Sequence, residues 1–278
     1  MWVYSKIIEI FKKRELIGSL VLRDLKARYK VSVLGFLWSL LRPLFMMVIF
    51  TIVFSRIFRW DIKMGAPYPI FLLTAILPWQ FLTAALSAGA NSLIDNQSLI
   101  KKVSLPREVF PIATVLSELV NLALSMLVLI PFLIFFRVGI GPWVFFLPVV
   151  LLIEIILVLG ITLLISSLNV FFRDTVPLVD LGVLAWFYLS PIFYPVTMVQ
   201  DNLSNNLYRI YLLNPMCPIM TGFRKTLMEG SFRPESGFGY DSVQWLTYFG
   251  ITTLMSVFIL ILGWSVFHAL DKKLADTL

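Results

Sequence analysis

The sequence predicts an all-α integral membrane protein with six transmembrane helices, an N-terminal amphipathic helix at the membrane interface and re-entrant helices before the last span. Hydrophobic residues make up 59% of the 278 residues and charged residues only 14%, whereas an average soluble domain has about 25% charged residues. The mean hydropathy of +0.89 is correspondingly high. Apolar stretches of about 20 residues, the length that a helix needs to cross a bilayer, recur along the chain.

Six segments meet this length requirement and are the predicted spans of a single transmembrane domain over residues 33–268. They are residues 33–54, 69–94, 109–136, 143–172, 176–199 and 243–267. A further apolar region, residues 203–230, does not qualify, because Pro215, Pro218 and Arg224 interrupt it. Two short re-entrant helices in the outer leaflet fit this region better, provided that protein or a wet cavity surrounds their irregular backbone.

The distribution of Lys and Arg predicts the orientation. Six spans place the 1–32 segment, the 95–108 loop and the 269–278 tail on one side of the membrane, and this side carries most of the basic residues. Because cytoplasmic loops carry an excess of Lys and Arg, both termini are predicted to be cytoplasmic. The net charge of +7 is therefore a topology signal. No nucleic-acid partner is predicted, since the chain lacks a soluble basic surface.

The start of the 1–32 segment predicts an amphipathic helix that lies in the plane of the membrane. Val3, Ile7 and Ile10 fall on one helical face, and Lys6 and Lys13 fall on the opposite face. Such a pattern is typical of a helix with its apolar face in the headgroup region and its lysines towards anionic lipid. A simple anchor and a mechanical role are both compatible with it.

The chain has no motif for covalent chemistry, so no catalytic residues, metal site or cofactor are predicted on it. One cysteine, Cys217, excludes an internal disulfide, and one histidine, His268, excludes a histidine cluster. The phosphate-binding sequence GxxxxGK[ST] is absent, as are serine-hydrolase and zinc-protease motifs. Glu118, Glu154 and Asp180 stand alone in three spans. A functional role and a hydrogen-bonded structural role both remain open for them.

Three further features are candidates for function. The loop SLIKKVSLPREVFP (98–111) predicts a short amphipathic helix that docks on a partner or rests on lipid. Arg42 either reaches back to the headgroups or offers its guanidinium to a phosphate. The run WFYLSPIFYP (186–195) is either an interfacial aromatic belt or a sugar-stacking gate that includes Tyr188, Phe193 and Tyr194.

Four stretches, in order, resemble the permease subunits of type-2 ABC exporters for polysaccharides and polyol phosphates, namely the O-antigen, capsular-polysaccharide and teichoic-acid permeases. The stretches are RDLKARYKVSVLGFLWSLLRPLFMMVIFTIVFS (23–55), KKVSLPREVFP (101–111), FFRD (171–174) and LNP (213–215). The resemblance covers nearly the whole chain, and the ordered set carries it rather than any single motif. Arg42 departs from the pattern, which has a neutral residue there.

This resemblance implies a homodimer that works with two copies of a separate ATPase subunit, on which ATP and Mg would be bound. The first cytoplasmic loop would be the coupling helix that docks in the ATPase, and the first and fifth spans would line the channel. The implied coupling residues are Leu99, Ile100, Lys101, Lys102, Val103, Leu105, Pro106 and Arg107. Basic residues at the lipid-pyrophosphate entrance would be Arg23, Lys26, Arg28, Lys30 and Arg42. Channel or gate residues would be Trp38, Tyr188, Phe193 and Tyr194.

The sequence thus predicts the permease of an ATP-driven exporter in a bacterial cytoplasmic membrane, with an undecaprenyl-diphosphate-linked polysaccharide or teichoic acid as substrate. One alternative is an ABC exporter for drugs or another lipid, which would share the architecture. A second is an intramembrane enzyme acting on lipid-linked sugars, which would need converging carboxylates. A third is a structural or channel protein that works without ATP.

Overall fold

The computed structural model describes residues 13–30, 35–57, 67–102, 105–228 and 242–277. All regular secondary structure in these ranges is helical, which confirms the predicted all-α class. The α-helices are α1 (Arg14–Lys30), α2 (Gly35–Thr51), α3 (Tyr68–Asp95), α4 (Gln97–Lys102), α5 (Val109–Phe135), α6 (Leu147–Phe171), α7 (Thr175–Tyr188), α8 (Val196–Asn202), α9 (Asn205–Leu212), α10 (Met216–Met228) and α11 (Ser242–Thr277). A π-helical turn, Ile52–Ile57, extends α2, and a 3-10 turn, Pro142–Phe146, precedes α6.

Four helical segments within these ranges are long and apolar enough to cross a membrane. They are Tyr68–Lys102, Val109–Phe135, Pro142–Phe171 and Val243–Asp271. Two shorter apolar helices, Leu41–Ser55 and Thr175–Tyr188, accompany them. The chain is therefore an integral membrane protein, as the composition predicts.

Two helix boundaries differ from the sequence prediction. The fifth predicted span was expected to run to Val199, but α7 ends at Tyr188. A new helix, α8, begins only at Val196, because Pro191 and Pro195 remove backbone donors and cannot continue the helix. At the other end of the chain, α11 continues to Thr277 through most of the predicted tail. The amphipathic helix expected before residue 13 lies outside the described residues.

The centre of the bundle is α3, which packs against α2, α5, α6, α7 and α10. Residues Ile70 to Trp79 are all buried, so the apolar half of α3 forms the middle of the main hydrophobic core. The most extensive helix pair is α6 with α11. These two backbones meet at Gly160 and Gly263, where a Cβ atom on Gly263 would lie 2.1 Å from the carbonyl oxygen of Gly160.

A second hydrophobic cluster, called here the junction cluster, lies where five helices meet, namely α1, the end of α3, the start of α5, α6 and the end of α11. Its buried members are Ile17, Leu20, Leu93, Val109, Phe110, Ala113, Leu163 and Phe267. The end of the bundle that contains this cluster and α4 is called the proximal end. The opposite end, which contains α8 and α9, is called the distal end.

Candidate functional site

The short helix α4 presents a basic, partly apolar face at the proximal end. Leu99 is 37% exposed, and Lys101 and Lys102 are exposed beside it. Ile100 points the other way and packs against the junction cluster together with Leu105. The apolar residues of the predicted docking loop therefore have two different surroundings. Ile100 and Leu105 pack against the junction cluster and fix the loop, whereas Leu99 stays accessible. Val103 lies outside the described residues.

The segment after α4 is tied to the last helix. Nη1 of Arg107 lies 2.7 Å from Oδ1 of Asp271 in α11 and also donates to the Asp271 backbone carbonyl. The next residue, Glu108, is only 1% exposed, and its Oε1 lies 3.8 Å from Nε2 of His268. Pro106, just before these residues, is partly buried. Arg107 therefore holds the segment before α5 against α11.

A polar network joins α1 to the start of α5. Arg28 donates from Nη1 to Oε2 of Glu118 at 2.9 Å and from Nη2 to Oε1. Asn121 donates from Nδ2 to the same Oε2 at 2.9 Å and accepts from the Tyr29 hydroxyl. The hydrogen bonds that Arg28 donates to Glu118 raise the pKa of Arg28 above its ordinary value, and burial partly opposes this. The carboxylate of Glu118 therefore accepts hydrogen bonds from two side chains. A hydrogen-bonded structural role is one of the two roles that the sequence left open for it.

The basic residues predicted at a lipid entrance have different surroundings. Arg23 and Lys26 are exposed on α1, and Arg23 pairs with its neighbour Asp24 at 2.8 Å. Arg28 is engaged with Glu118. Lys30 is the last residue of α1, and its side chain is not described. Arg42 is exposed on α2, one residue before Pro43 in the helix.

The predicted channel and gate residues also differ in their exposure and contacts. Trp38 lies in α2, and its side chain is not described. Tyr188 is 60% exposed at the end of α7. Phe193 packs with Phe54, with ring centroids 5.5 Å apart, and the Tyr194 hydroxyl donates to the Tyr188 carbonyl at 3.0 Å. Of the last three, only Tyr188 offers a largely accessible ring.

An aromatic cluster joins α2 and α7 at the distal end. It comprises Phe50, Phe54, Phe187 and Phe193. The Phe50 and Phe187 rings stack with centroids 6.3 Å apart, so these two positions lie at a similar depth in the bundle. The Tyr68 hydroxyl donates to the Phe193 carbonyl at 2.8 Å and fixes the loop after α7.

Arg224 holds α10 against the same loop. Its side chain is only 1% exposed, its guanidinium carbon lies 3.5 Å from the centroid of the Phe71 ring, and Nη2 donates to the Ile192 carbonyl at 2.7 Å. Sequence analysis treated Arg224 only as an interruption of an apolar region. A charge in an apolar stretch needs a partner, and a backbone carbonyl supplies one here.

The three carboxylates in the predicted spans have unlike environments. Glu118 is paired with Arg28, Glu154 is fully buried with neither oxygen hydrogen-bonded to another described residue, and Asp180 is exposed on α7. In the described ranges no group of three or more His, Cys, Asp or Glu side chains could hold a metal ion.

Two further features were missed by sequence analysis. The partner of Arg107, Asp271, is 164 residues away in the chain, and no local pattern links the two positions. A polar stripe on α3 could have been found, because its members recur at a spacing of three or four residues along the predicted span 69–94 and the residue after it. The stripe consists of Gln80, Thr83, Ser87, Asn91 and Asp95.

Four long apolar helices and a basic helix fixed at one end of the bundle define an integral membrane protein. The sequence profile described as "ABC-2 type transporter" matches residues 15–228. The chain belongs to this family.

Individual relatives extend the match over most of the chain. The chain is 33% identical over 225 residues to the O-antigen export system permease protein RfbA of Myxococcus xanthus, covering 80% of this chain and 83% of that protein. It is 32% identical over 259 residues to the protein of the same name from Klebsiella pneumoniae, covering 92% of both. It is 24% identical over 250 residues to the polysialic acid transport protein KpsM of Escherichia coli, covering 87% of this chain and 90% of that protein.

Proposed function

We propose that this chain is the permease of an ATP-driven exporter that moves a polysaccharide across the cytoplasmic membrane. The observation that carries the proposal is the similarity over 92% of the chain to an O-antigen export permease. The polysialic acid transport protein is a more distant relative, and both names refer to export or transport of a polysaccharide. We further propose that the polymer is carried on undecaprenyl diphosphate.

The proposed assembly is a homodimer with two copies of a separate ATPase subunit, on which ATP and Mg are bound. In the proposed topology the chain has six spans, and both termini are cytoplasmic. The helices α2 and α7 then belong to the first and fifth spans, and α9 and α10 are re-entrant helices. This orientation puts the proximal end in the cytoplasm. The excess of Lys and Arg in the segments at that end supports it.

The proposed ATPase contact is the exposed face of α4, formed by Leu99, Lys101 and Lys102. A side chain that accepts force must be accessible and also rigidly connected to the membrane helices. Leu99 meets the first condition. The packing of Ile100 in the junction cluster and the Arg107–Asp271 pair meet the second. A partner cleft with an apolar floor and acidic rim would complement this face.

The proposed entrance for the lipid pyrophosphate uses the exposed basic residues of α1 and α2. Lys26 lines a shallow recess with Leu22, Leu25 and Tyr29, in which an ammonium stands beside apolar surface. Arg42 would offer two parallel donors to a phosphate deeper in the membrane. Arg28 is a weaker candidate than predicted, because Glu118 already occupies its guanidinium.

The test combines a gene deletion with affinity purification of the tagged chain from its native membrane. We expect the deletion strain to lose its surface polysaccharide and to accumulate polymer inside the cell. The tagged chain should co-purify with a P-loop ATPase. Leu99→Asp, and separately Lys101→Glu with Lys102→Glu, should release this partner and abolish export. Arg209→Glu, an exposed change at the distal end, is the matched control and should retain both.

Other results would reject the proposal. A chain that purifies alone and whose loss leaves the surface polysaccharide intact is not its export permease. If the deletion strain instead fails to export a drug or another lipid, and the tagged chain still co-purifies with the ATPase, the chain is an ABC exporter permease with a different substrate. Glycosyl transfer by the purified chain without ATP would point to an intramembrane enzyme.

A further inference from the structure

The last helix, α11, is long, uninterrupted and tightly packed on α6. Its 36 residues contain no proline, so it extends for about 54 Å with no residue that lacks a backbone donor. By contrast, α2, α3 and α5 each contain an internal proline, at Pro43, Pro78 and Pro131. The backbones of α6 and α11 meet at Gly160 and Gly263, which leaves no side chain between them that could rearrange. These two helices therefore form a stiff pair.

The proximal end of α11 is fixed to the segment that follows α4. Asp271 accepts hydrogen bonds from Nη1 of Arg107 through its carboxylate, at 2.7 Å, and through its backbone carbonyl. About one turn earlier in α11, Nε2 of His268 lies 3.8 Å from Oε1 of Glu108. A displacement of α4 would therefore act on α11 through these side chains as well as on α5 through the backbone.

The other end of α11 supports α10 through one buried side chain, Trp245. Its Nε1 donates to the Pro218 carbonyl at 3.0 Å. A Cβ atom on Gly222 would lie 3.2 Å from Cζ2 of the same ring, and Nζ of Lys225 lies 5.3 Å from the ring centroid. Successive turns of α10 therefore rest on Trp245. Since Arg224 donates from α10 to the loop after α7, a movement of α10 would also reach that loop.

The helix α5, which follows α4 in the chain, is the alternative route between the two ends of the bundle. Its last residues, Ile134 and Phe135, are 72% and 79% exposed, and Pro131 removes a backbone donor one turn before its end. Neither feature suits a helix that must move α10. In contrast, α11 is hydrogen-bonded to other elements at Trp245 and at Asp271, which are about 39 Å apart at 1.5 Å per residue.

We propose that α11 is a rigid link that carries a displacement of the ATPase contact at α4 to α10, and from there to the loop after α7. Asp271 and Trp245 are the positioning residues at the two ends of this link. A continuous helix suits the role, because shortening or bending it would break backbone hydrogen bonds. The role rests on the proposed function, since the ATPase supplies the displacement. It gives the last span a part in coupling ATP to the distal end.

The single cysteine of the chain can report on α10. Cys217 precedes Pro218, is fully buried, and donates from its thiol to the Tyr211 carbonyl at 3.7 Å. N-ethylmaleimide reaches this thiol only when α10 opens locally, so the rate of the reaction measures that opening. The full chain in nanodiscs is treated with the reagent well below its unfolding temperature, and the product is followed by mass spectrometry.

The first measurement uses the chain without an ATPase. Asp271→Asn should raise the reaction rate of Cys217 by about five-fold, because α10 loses the support of a fixed α11. Arg107→Gln breaks the same pair from the other side and should have the same effect, so the test does not depend on the folding of one variant. Asp271→Glu keeps the carboxylate and should restore most of the ordinary rate. Glu15→Gln, the same acid-to-amide change at an exposed position of α1, is the matched control and should leave the rate unchanged.

A double variant tests whether the two ends act through one helix. Trp245→Phe removes the hydrogen bond to the Pro218 carbonyl and should also speed the reaction of Cys217. Adding Asp271→Asn to Trp245→Phe should then change the rate little further, because the distal connection is already lost. Two independent sites at this separation would instead multiply their effects on the rate.

ATP provides a readout that a merely structural role would not change. In the complex that co-purifies with the ATPase, ATP should alter the reaction rate of Cys217 by at least about three-fold. Asp271→Asn should keep the ATPase bound but lose this response to ATP, and it should export less polysaccharide. Glu15→Gln should keep both the response and the export.

Any of three results would overturn the rigid link. The first is an ordinary Cys217 rate in both Asp271→Asn and Arg107→Gln. The second is a double variant whose rate is the product of the two single effects, and the third is a full response to ATP in Asp271→Asn. If no ATPase co-purifies and deletion of the gene leaves the surface polysaccharide intact, while Asp271→Asn still speeds the reaction of Cys217, the proposed function fails and the connection through α11 stands.

Discussion

Arg28 and Glu118 form a two-pronged ion pair between α1 and α5, across 90 residues of sequence. The carboxylate side chain is 3% exposed and the guanidinium side chain 43% exposed. Glu118 therefore depends on Arg28 for its charge partner, whereas Arg28 also has access to solvent. The pair fixes the basic helix α1 to the bundle at the proximal end, close to the loop that carries α4.

We predict that Arg28→Ala destabilises the protein by about 2 kcal/mol, somewhat less than the 3–5 kcal/mol typical of breaking a fully buried pair. The cost arises because Glu118 remains buried without its cation. Thermal unfolding in mild detergent measures the effect. Arg23→Ala removes an exposed pair with Asp24 and should cost less than about 0.5 kcal/mol. Equal losses for the two variants would show that the Glu118 contact does not stabilise the fold.

Glu118 and Glu154, two of the buried carboxylates, should respond differently to the same change. Glu118→Gln weakens the charged hydrogen bonds with Arg28 and should cost about 1.5–3 kcal/mol. Glu154 has no hydrogen-bonding partner among the described residues, so Glu154→Gln removes no bond and should cost less than about 1 kcal/mol. Thermal unfolding of both variants, with export as a second readout, tests this difference. A loss of export in Glu154→Gln with normal stability would instead give Glu154 a role in transport.

Much of the fold could be predicted because hydropathy marks helices that must contact lipid. The helix α3 extends the predicted span 69–94 by one residue at each end, and α5 ends one residue before the predicted span 109–136. Within the fifth predicted span, 176–199, the helix ends at Tyr188, because hydropathy does not register the two prolines that separate α7 from α8. A count of apolar residues cannot distinguish a helix from a folded loop of the same composition.

The candidate site was less accessible to sequence reasoning. The loop around α4 could be recognised from its lysines and proline, but the inward direction of Ile100 depends on the junction cluster, whose members come from five helices. The partner of Arg28 could not be inferred, since any of several carboxylates was possible. Periodicity would have revealed the polar stripe on α3, because its residues occupy one helical face.

Arg224 is predicted to hold the loop between α7 and α8 in place. Arg224→Ala leaves the Ile192 carbonyl without its donor and removes the contact over the Phe71 ring. Together these losses should cost about 3 kcal/mol. Thermal unfolding measures the cost, and faster proteolysis between α7 and α8 would locate it. Arg209→Ala, on the exposed side of α9, should have little effect on either. An unchanged cleavage rate in Arg224→Ala would contradict the assignment.

The contact between α6 and α11 is predicted to require glycine at position 263. A Cβ atom there would lie 2.1 Å from the backbone carbonyl oxygen of Gly160, and a backbone atom cannot move aside as a side chain would. Gly263→Ala should therefore separate the two helices and cost at least about 2 kcal/mol. In the same helix, Gly250 has nothing within 4 Å of its Cβ position, so Gly250→Ala should be neutral or slightly stabilising. Thermal unfolding of this matched pair decides the matter, since similar midpoints for both variants would mean that α6 and α11 do not approach through Gly263.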